Sequence, residues 1–272
     1  MAARAFVLGH PVGHSRSPML HGFWLRTLGI RGSYELVDLP PEGLGPFFAN
    51  MRSRGFVGGN VTVPHKVAAM AFMARLDEEA RAVGAVNTIW TEEGALVGSN
   101  TDTSGFLANL DEQAPGWEGP AVLIGAGGGA RAIVHGLRQR RTAVHIVNRT
   151  RAKADALVER FGAGVSAHDW HELPDLLRTA HLLVNTSSLG MEGKPPLTID
   201  LSSLPRRAVV HDIVYVPLET PLLQQAKARG HRTVDGLGML LHQAVPGFAH
   251  WFGVIPQVTP ELRALLEADI SA

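Results

Sequence analysis

Cysteine is absent from the 272-residue chain, which excludes disulfide bonds and thiolate chemistry. Lysine is scarce, because the basic residues are overwhelmingly arginine. The formal net charge is +0 and the basic residues are scattered along the chain, so we expect no nucleic-acid partner. The missing cysteine fits an enzyme of the cytoplasm, and we expect that location.

Long apolar runs are also missing. No segment approaches the roughly 18 consecutive apolar residues of a membrane span, and the apolar start is too short for a signal peptide, so we expect no membrane partner. A hydrophobic share of 45% with 18% charged residues is typical of a folded globular protein. At this length we expect one or two domains. The expected partner is a small-molecule substrate, and the expected assembly is a monomer or a homodimer.

The first third of the chain alternates apolar strands with helices. The predicted strands are Ala5–Gly9, Ser33–Leu39, Val57–Val63 and the hairpin Ala85–Trp90 with Ala95–Ser99. Helices are predicted from Ser17 to Leu28 and from Leu44 to Arg54, and Pro64 is predicted to begin a helix that carries Lys66. This order indicates a β/α unit.

After Thr103 strands and helices alternate more regularly. The predicted strands are Ala121–Ile124, Ala143–Asn148, Leu182–Asn185 and Val209–Ile213, with helices that include Arg131–Arg141 and Arg151–Phe161. This order predicts a doubly wound parallel sheet. The fold class is therefore α/β with two domains, a substrate domain over residues 1–102 and a Rossmann-type domain over residues 103–236. The C-terminal helices of residues 237–272 are expected to pack on the first domain.

A glycine-rich loop, Gly125-Ala126-Gly127-Gly128-Gly129-Ala130, follows the strand Ala121–Ile124 and opens a helix. It reads G-x-G-x-x-A, the dinucleotide fingerprint with the permitted alanine in third place. The first glycine makes a tight turn, the second lets a pyrophosphate approach the backbone, and the small third residue lets the helix pack on the strand. Because the loop joins a strand to a helix, we predict a dinucleotide site rather than a simple turn.

The next strand ends in Asn148-Arg149-Thr150, with Lys153 one turn further on. An NAD site would place an acidic side chain near Asn148 to accept from the ribose 2′-hydroxyl. An amide, a guanidinium, a hydroxyl and an ammonium suit a 2′-phosphate instead. We therefore predict NADP(H) as the cofactor. The alternative is a solvated helix start with incidental basic residues.

Two further groups of residues could bind and transform a substrate. Ser15 and Ser17 stand at a helix entrance, where hydroxyls, amides and the helix dipole can bind a carboxylate, although local physics alone favours a plain N-cap role for Ser17. Lys66 and Asp102 could form a proton-transfer pair, with a structural ion pair as the alternative. The histidines lack a clustered ligand spacing, so no metal site is predicted.

Taken together, these residues form a pattern that resembles the shikimate dehydrogenase family. The matching segments are residues 14–18 (HSRSP), 60–66 (NVTVPHK), 84–88 (GAVNT), 100–102 (NTD), 125–130, 148–150 (NRT), 185–191 (NTSSLGM), 212–215 (DIVY) and 236–244. They occur in family order over nearly the whole chain. The set is highly specific, while any single segment is only modestly so.

The resemblance implies reversible reduction of 3-dehydroshikimate to shikimate by NADPH. It implies that Ser15, Ser17 and Tyr215 hold the substrate carboxylate and that Thr62, Asn87 and Gln243 bind ring hydroxyls. Lys66 and Asp102 are implied at the reacting oxygen. Asn185, Thr186, Gly236 and Met239 are implied on the cofactor side.

Two alternatives stay open from the sequence. One is a quinate/shikimate or aminoshikimate dehydrogenase that uses NAD, against which Arg149, Thr150 and Lys153 argue. The other is a non-catalytic NADP-binding sensor on the same fold, which would be free to lose Lys66 or Asp102.

Overall fold

The computed structural model describes residues 2–271 and divides into two compact units. The first unit comprises the chain up to Asp102 together with Leu240–Leu266. The second comprises Thr103–Met239 and the residues from Glu267 onward. The chain therefore leaves the first unit at Asp102 and returns to it at Leu240, a few residues after the Gly236 boundary expected from the sequence.

The first unit is built on a mixed six-stranded sheet. Its strands are β1 (Ala3–Gly9), β2 (Gly32–Asp38), β3 (Phe56–Val61), β4 (Arg75–Leu76), β5 (Thr88–Glu92) and β6 (Ala95–Ser99), and its first three helices are α1 (Ser17–Thr27), α2 (Leu44–Asn50) and α3 (Glu78–Val83). The strand order is β2-β1-β3-β5-β6-β4. Strands β2, β1 and β3 run parallel, while β5 is antiparallel to both β3 and β6.

Apolar side chains of the central strands form the core of this unit. Phe6 on β1 packs edge-on against Phe47 of α2, with ring centroids 5.0 Å apart, and against Phe56 of β3 at 5.2 Å. Edge-to-face packing of this kind adds stability beyond the buried area alone. Both faces of strand β1 are buried, with Phe6 and Leu8 in one core cluster and Ala5 and Val7 in another, which explains why its sequence is an almost continuous apolar run.

The second unit contains a fully parallel sheet. Its strands are β7 (Ala121–Ile124), β8 (Val144–Val147), β9 (Val165–His168), β10 (Leu182–Asn185), β11 (Val209–Asp212) and β12 (Arg232–Val234), and its helices are α4 (Asp102–Gln113), α5 (Gly128–Gln139), α6 (Arg151–Phe161), α7 (Leu173–Leu177) and α8 (Pro221–Ala228). The strand order β12-β11-β10-β7-β8-β9 reverses direction between β7 and β10. This is the doubly wound order, and ligands of such sheets bind where the order reverses. The predicted α/β fold with a Rossmann-type sheet is confirmed.

Both faces of the parallel sheet are covered, as the continuous apolar strands require. Leu123 of β7 packs in the core formed with α5 and α6, while Val122 and Ile124 pack in the core formed with α7 and α8. Two helices complete the chain, α9 (Leu237–Phe252) and α10 (Pro260–Ile270). No helix within residues 2–271 combines the length and the apolar character needed to cross a membrane.

The prediction that Lys66 lies on a helix is wrong. Lys66 lies in a turn, and a short 3₁₀ helix, Ala68–Phe72, begins only after it. The reason is that the main-chain carbonyl of Lys66 accepts a hydrogen bond from the amide of Val86 at 2.8 Å. That carbonyl is therefore bound to another segment of the unit rather than to a helical amide four residues on.

The interpretation of Ser17 as the N-cap of the first helix is also wrong. Helix α1 includes Ser17 itself, Arg16 occupies the N-cap position, and no side chain caps the helix. Pro18 follows at the start of the helix, where a missing amide costs little. The hydroxyl of Ser17 is therefore not used to cap the helix.

Candidate active site

The centre of the candidate site is an ion pair between Lys66 and Asp102. The Nζ atom of Lys66 lies 2.5 Å from Oδ2 of Asp102, and the two side chains are 15% and 6% exposed. Lys66 comes from the turn after β3, while Asp102 is the first residue of α4. A lysine and an aspartate with this little contact to water interact more strongly than a surface pair, because solvent screening is weak there.

Asn87 holds the second oxygen of this carboxylate. Its Nδ2 donates to Oδ1 of Asp102 at 2.8 Å. Its Oδ1 accepts from the backbone amide of Thr101 at 2.8 Å, and this amide can only donate. The orientation of the Asn87 side-chain amide is therefore fixed, with its nitrogen toward the carboxylate.

Gln243 of α9 joins the same group. Its Oε1 lies 3.3 Å from Nδ2 of Asn87, and its main-chain oxygen accepts from the Thr101 hydroxyl at 2.8 Å. Both Asn87 and Gln243 are buried. The structure thus brings four of the predicted site residues, Lys66, Asp102, Asn87 and Gln243, into one hydrogen-bonded group.

Three more predicted substrate residues lie in the first unit. The amide of Ser17 donates to Oγ of Ser15 at 3.3 Å, so the two serines are neighbours at the start of α1. Ser17 is buried and Ser15 is half-buried. Thr62 is half-buried and follows β3, and its main-chain amide donates to the oxygen of Leu8 at 2.8 Å.

The glycine-rich loop of the second unit has the shape that a pyrophosphate requires. Gly125 has φ +111, and a Cβ there would lie 2.8 Å from Oγ1 of Thr186, so only glycine fits. At Gly127 and Gly128 a Cβ would meet nothing within 4 Å, which leaves open space beside the backbone. Gly127 is the N-cap of α5 and has no side-chain cap, so the first amides of the helix stay available for phosphate oxygens. These residues fit a dinucleotide.

The turn between β8 and α6 carries three of the predicted 2′-phosphate residues, and the first turn of α6 carries the fourth, Lys153. Nδ2 of Asn148 donates to the oxygen of Thr150 at 2.8 Å, so Asn148 shapes the turn. Arg149, Thr150 and Lys153 are all exposed. Because β8 neighbours β7 in the sheet, this turn follows the strand next to the one that leads into the glycine loop. Exposed cations at this position fit a phosphate better than a bare hydroxyl.

The remaining predicted residues also lie in the second unit. Asn185 ends β10, and Thr186 donates to the oxygen of Ile124 at 3.0 Å. Tyr215 is half-buried after β11, and Met239 is buried in the first turn of α9. A Cβ at Gly236 would lie 2.4 Å from the oxygen of Ile213, so the chain is tightly packed there.

Asp212 is a supporting residue to which the sequence assigns no role. It is fully buried, and its carboxylate accepts from Nδ2 of Asn185 at 2.9 Å and from the Thr220 hydroxyl at 2.7 Å. Burial raises the pKa of Asp212 to about 6, and its hydrogen bonds oppose the shift. Asp212 fixes the side chain of Asn185 at the end of β10.

Four polar residues around the ion pair are also without an assigned role in the sequence: Tyr34, Asn60, Thr88 and Thr101. Three of them lie inside the recognised motifs, so a signal for them exists. Tyr34 lies outside every motif, and only the pairing of β2, β1 and β3 brings it near the site.

The chemistry available at the site is that of an ammonium, a carboxylate and side-chain amides. The described part of the chain contains no group of three or more histidine, cysteine, aspartate or glutamate residues placed to hold a metal ion. The polar group around Lys66 can donate a proton or a hydrogen bond to a substrate oxygen. Together with the parallel sheet and its glycine loop, this defines a dinucleotide-dependent oxidoreductase of the α/β class.

Comparison with known proteins specifies the class further. The family model for the shikimate dehydrogenase substrate binding domain matches residues 7–89, and the model for shikimate / quinate 5-dehydrogenase matches residues 113–193. The chain is 57% identical over 272 residues to a shikimate dehydrogenase (NADP(+)) of Methylocella silvestris, covering 99% of this chain and 97% of that protein. The chain belongs to the shikimate dehydrogenase family.

Solved structures show the same fold. The shikimate 5-dehydrogenase of Thermus thermophilus, in complex with NADP(H) and shikimate, matches with a TM-score of 0.89 and 39% identity over 98% of this chain and 99% of that one. The quinate dehydrogenase of Corynebacterium glutamicum, in complex with NAD, matches with a TM-score of 0.91 and 29% identity over the same shares. The fold alone therefore does not separate the two substrates or the two cofactors.

Proposed function

We propose that this chain catalyses the reversible reduction of 3-dehydroshikimate to shikimate with NADPH, a step of aromatic amino-acid biosynthesis. The observation that carries the proposal is the hydrogen-bonded group of Lys66, Asp102 and Asn87, in which Asp102 and Asn87 are buried and Lys66 is 15% exposed. A non-catalytic sensor has no need of an ammonium held by a buried carboxylate. Membership of the family supports the same assignment.

The chemistry follows from the charge that develops on the substrate. NADPH, when bound, supplies the hydride for the carbonyl carbon. Negative charge then grows on the carbonyl oxygen, and the ammonium of Lys66 can neutralise it by donating a hydrogen bond or a proton. Asp102 keeps Lys66 in place, and Asn87 keeps Asp102 from turning.

The same proposal assigns the binding residues. Ser15, Ser17 and Tyr215 would hold the substrate carboxylate, and Thr62, Asn87 and Gln243 would bind ring hydroxyls. Residues 1–102 would act as the substrate domain, and the C-terminal helices of residues 237–272 would pack on it. Residues 103–236 would act as the cofactor domain.

The cofactor residues are proposed in three groups. Residues 125–130 would hold the pyrophosphate, with the open space at Gly127 and the uncapped amides of α5 in support. Residues 148–150 and Lys153 would contact the 2′-phosphate. Asn185, Thr186, Gly236 and Met239 would line the nicotinamide side.

A steady-state assay with both substrates and both cofactors tests the proposal. We expect shikimate oxidation to be most efficient with NADP⁺, and kcat/KM to be lower with NAD⁺ or with quinate. Equal efficiency with NAD⁺, or a preference for quinate, would favour an NAD-using quinate/shikimate dehydrogenase. A preference for aminoshikimate, measured in the same assay, would favour an aminoshikimate dehydrogenase. No turnover with any of them, while NADPH still binds, would favour the sensor.

Location and assembly complete the proposal. A cytoplasmic location rests on the missing cysteine, and it stays a prediction. A monomer or a homodimer likewise stays a prediction.

A further inference from the structure

The hydrogen bonds around Asp102 continue through the interior of the first unit to Tyr34. Asn60 lies between the two ends: its Nδ2 donates to the main-chain oxygen of Asn87 at 3.0 Å and to Oγ1 of Thr88 at 3.1 Å. The Thr88 hydroxyl donates to Oδ1 of Asn87 at 2.9 Å. Tyr34 completes the chain, with its hydroxyl 2.6 Å from Oδ1 of Asn60.

The direction of these hydrogen bonds is determined by groups that have only one role. The main-chain oxygen of Asn87 can only accept, so the nitrogen of the Asn60 side chain must face it. Oδ1 of Asn60 then faces Tyr34, and the Tyr34 hydroxyl must be the donor. The ring of His21 also interacts with the Asn60 side chain, but neither of its nitrogens makes a hydrogen bond of normal geometry, so Tyr34 is the donor to this buried acceptor.

Tyr34 is held firmly enough to act as a fixed donor. It is 8% exposed, and the ring of His21 stacks on it at 4.0 Å with an angle of 19° between the planes. The ring of Trp251 also packs near Tyr34, with the two ring centroids 5.7 Å apart. Burial raises the pKa of Tyr34 well above its usual value, so the phenol keeps its proton.

The same hydroxyl also contacts the proposed carboxylate site. The Ser17 side chain interacts with the Tyr34 hydroxyl and lowers the pKa of Tyr34 against the larger effect of burial. Because the proton of Tyr34 goes to Asn60, the oxygen of Tyr34 is free to act as an acceptor toward Ser17. Tyr34 thus lies beside Ser17 on one side and, through Asn60 and Thr88, is connected to the side chain of Asn87 on the other.

We propose that Tyr34 is a positioning residue for the dehydrogenase reaction, which orients Ser17 directly and the Asn87–Asp102–Lys66 group through Asn60. The inference rests on the proposed function, because it is read out in shikimate turnover. Tyr34 touches neither the substrate nor the cofactor in this role. Its contribution is to satisfy Oδ1 of Asn60 and so to hold that amide against the main-chain oxygen of Asn87.

The test is Tyr34→Phe, which removes one oxygen and keeps the ring stacked on His21. Oδ1 of Asn60 then loses the donor that satisfies it, and the Asn60 amide can turn. We expect kcat for shikimate to fall by about tenfold or more, because small displacements of catalytic groups have large effects on rate. The KM for shikimate should rise as well, through Ser17. The KM for NADP⁺ should stay unchanged, because all residues of the chain of hydrogen bonds lie in the first unit.

Ser33→Ala is the matched control. Ser33 is the neighbour of Tyr34 on β2, and its hydroxyl donates to Glu35 at 2.8 Å, away from the site. Ser33→Ala also removes one hydrogen-bonded hydroxyl. Because this hydroxyl lies away from the site, we expect kcat and the KM for shikimate to stay as in the wild type. Thermal unfolding of both variants is measured in parallel, and the kinetics are run well below the lower midpoint. A kcat for Tyr34→Phe that equals that of Ser33→Ala would overturn the inference.

Thr88→Val tests whether the effect passes along the chain. Valine keeps the shape of threonine and removes the hydroxyl that links Asn60 to the side chain of Asn87, while the bond from Asn60 to the main-chain oxygen of Asn87 remains. If Tyr34 acts through this link, the double variant Tyr34→Phe/Thr88→Val should lose no more kcat than the worse single variant. Losses that multiply would show that the two residues act independently and would overturn the relay. If the wild-type protein did not turn over shikimate at all, the proposed function would be contradicted, and this inference with it.

Discussion

At the scale of single residues, the pairing of Lys66 with Asp102 separates this lysine from the others of the chain. Lys227 also pairs with a carboxylate, that of Glu219 at 2.7 Å, but it is 68% exposed. An exposed pair of that kind contributes little to stability, whereas removal of one partner from a buried pair leaves an uncompensated charge. The two lysines therefore form a natural comparison.

We predict that Lys66→Ala lowers kcat for shikimate by about 10²–10⁴-fold, the usual contribution of a positioned proton donor. Binding of NADPH, followed by the change in its fluorescence, should persist. Lys227→Ala serves as the control and should keep wild-type kinetics. Turnover of Lys66→Ala within a few-fold of the wild type would contradict the proposed mechanism.

At the scale of secondary-structure elements, the turn between β8 and α6 decides the proposed choice of cofactor. Arg149 is an exposed cation in this turn, and Lys153 is another in the first turn of α6. Arg151 lies between them in sequence, but it is paired with Asp155 at 2.9 Å and with Asp169 at 3.4 Å. The paired arginine is thus the matched control for the other two.

We predict that the double variant Arg149→Ala/Lys153→Ala raises the KM for NADP⁺ by at least about tenfold, because each charge-assisted hydrogen bond contributes about 1.5–3 kcal/mol. The KM for NAD⁺, which lacks the 2′-phosphate, should change little. Arg151→Ala should leave the ratio of the two constants near that of the wild type. An equal rise for both cofactors in the double variant would mean that these residues do not read the 2′-phosphate.

The elements also show what a sequence can predict. Strands β7, β8, β10 and β11 are short apolar runs that end at polar or glycine residues, and they are buried on both faces, so their pattern is unmistakable. Strand β9, in contrast, is an edge strand in which Ser166 and His168 alternate with apolar residues. Strands β4 and β12 have only two and three residues. The sequence does not predict these three, because their pairing partners rather than their own residues make them strands.

The same distinction holds inside the site. Lys66, Asn87 and Asp102 can be predicted because they stand in short motifs whose chemistry is recognisable. The role proposed for Tyr34 cannot be predicted in this way. Its partner Asn60 is 26 residues away in sequence and is brought near only when β2 and β3 pair on either side of β1. The turn at Lys66 is missed for a similar reason, since the amide of Val86 that binds its carbonyl comes from a later segment.

At the scale of the whole molecule, each unit contains a fully buried histidine in an aromatic environment. His21 of the first unit stacks on Tyr34, and neither of its ring nitrogens makes a hydrogen bond of normal geometry. His211 of the second unit stacks on Phe106 at 5.0 Å. Burial lowers the pKa of each histidine to about 3; the Asn60 side chain opposes the shift only partly at His21.

The sign of the resulting pH dependence follows from which state binds the proton. An unfolded histidine binds a proton below its ordinary pKa of 6.5, while the folded form stays neutral down to about pH 3. The stabilising contribution is therefore complete above pH 6.5 and is lost as the pH falls through this window. Asp212 acts in the opposite direction, because its pKa is raised from 3.8 to about 6, so its contribution is lost as the pH rises toward 6.

We predict that His21→Leu flattens the fall of unfolding free energy with decreasing pH. Removing one such titration should make the slope between pH 6.5 and 4.5 shallower by about 1.4 kcal/mol per pH unit, whatever the difference from the wild type is at pH 7. Chemical denaturation over a series of pH values measures the slope. His171→Leu, at an exposed position, should leave it unchanged. If the curves of His21→Leu and the wild type run parallel, His21 takes up a proton in the folded state, and its burial does not keep it neutral.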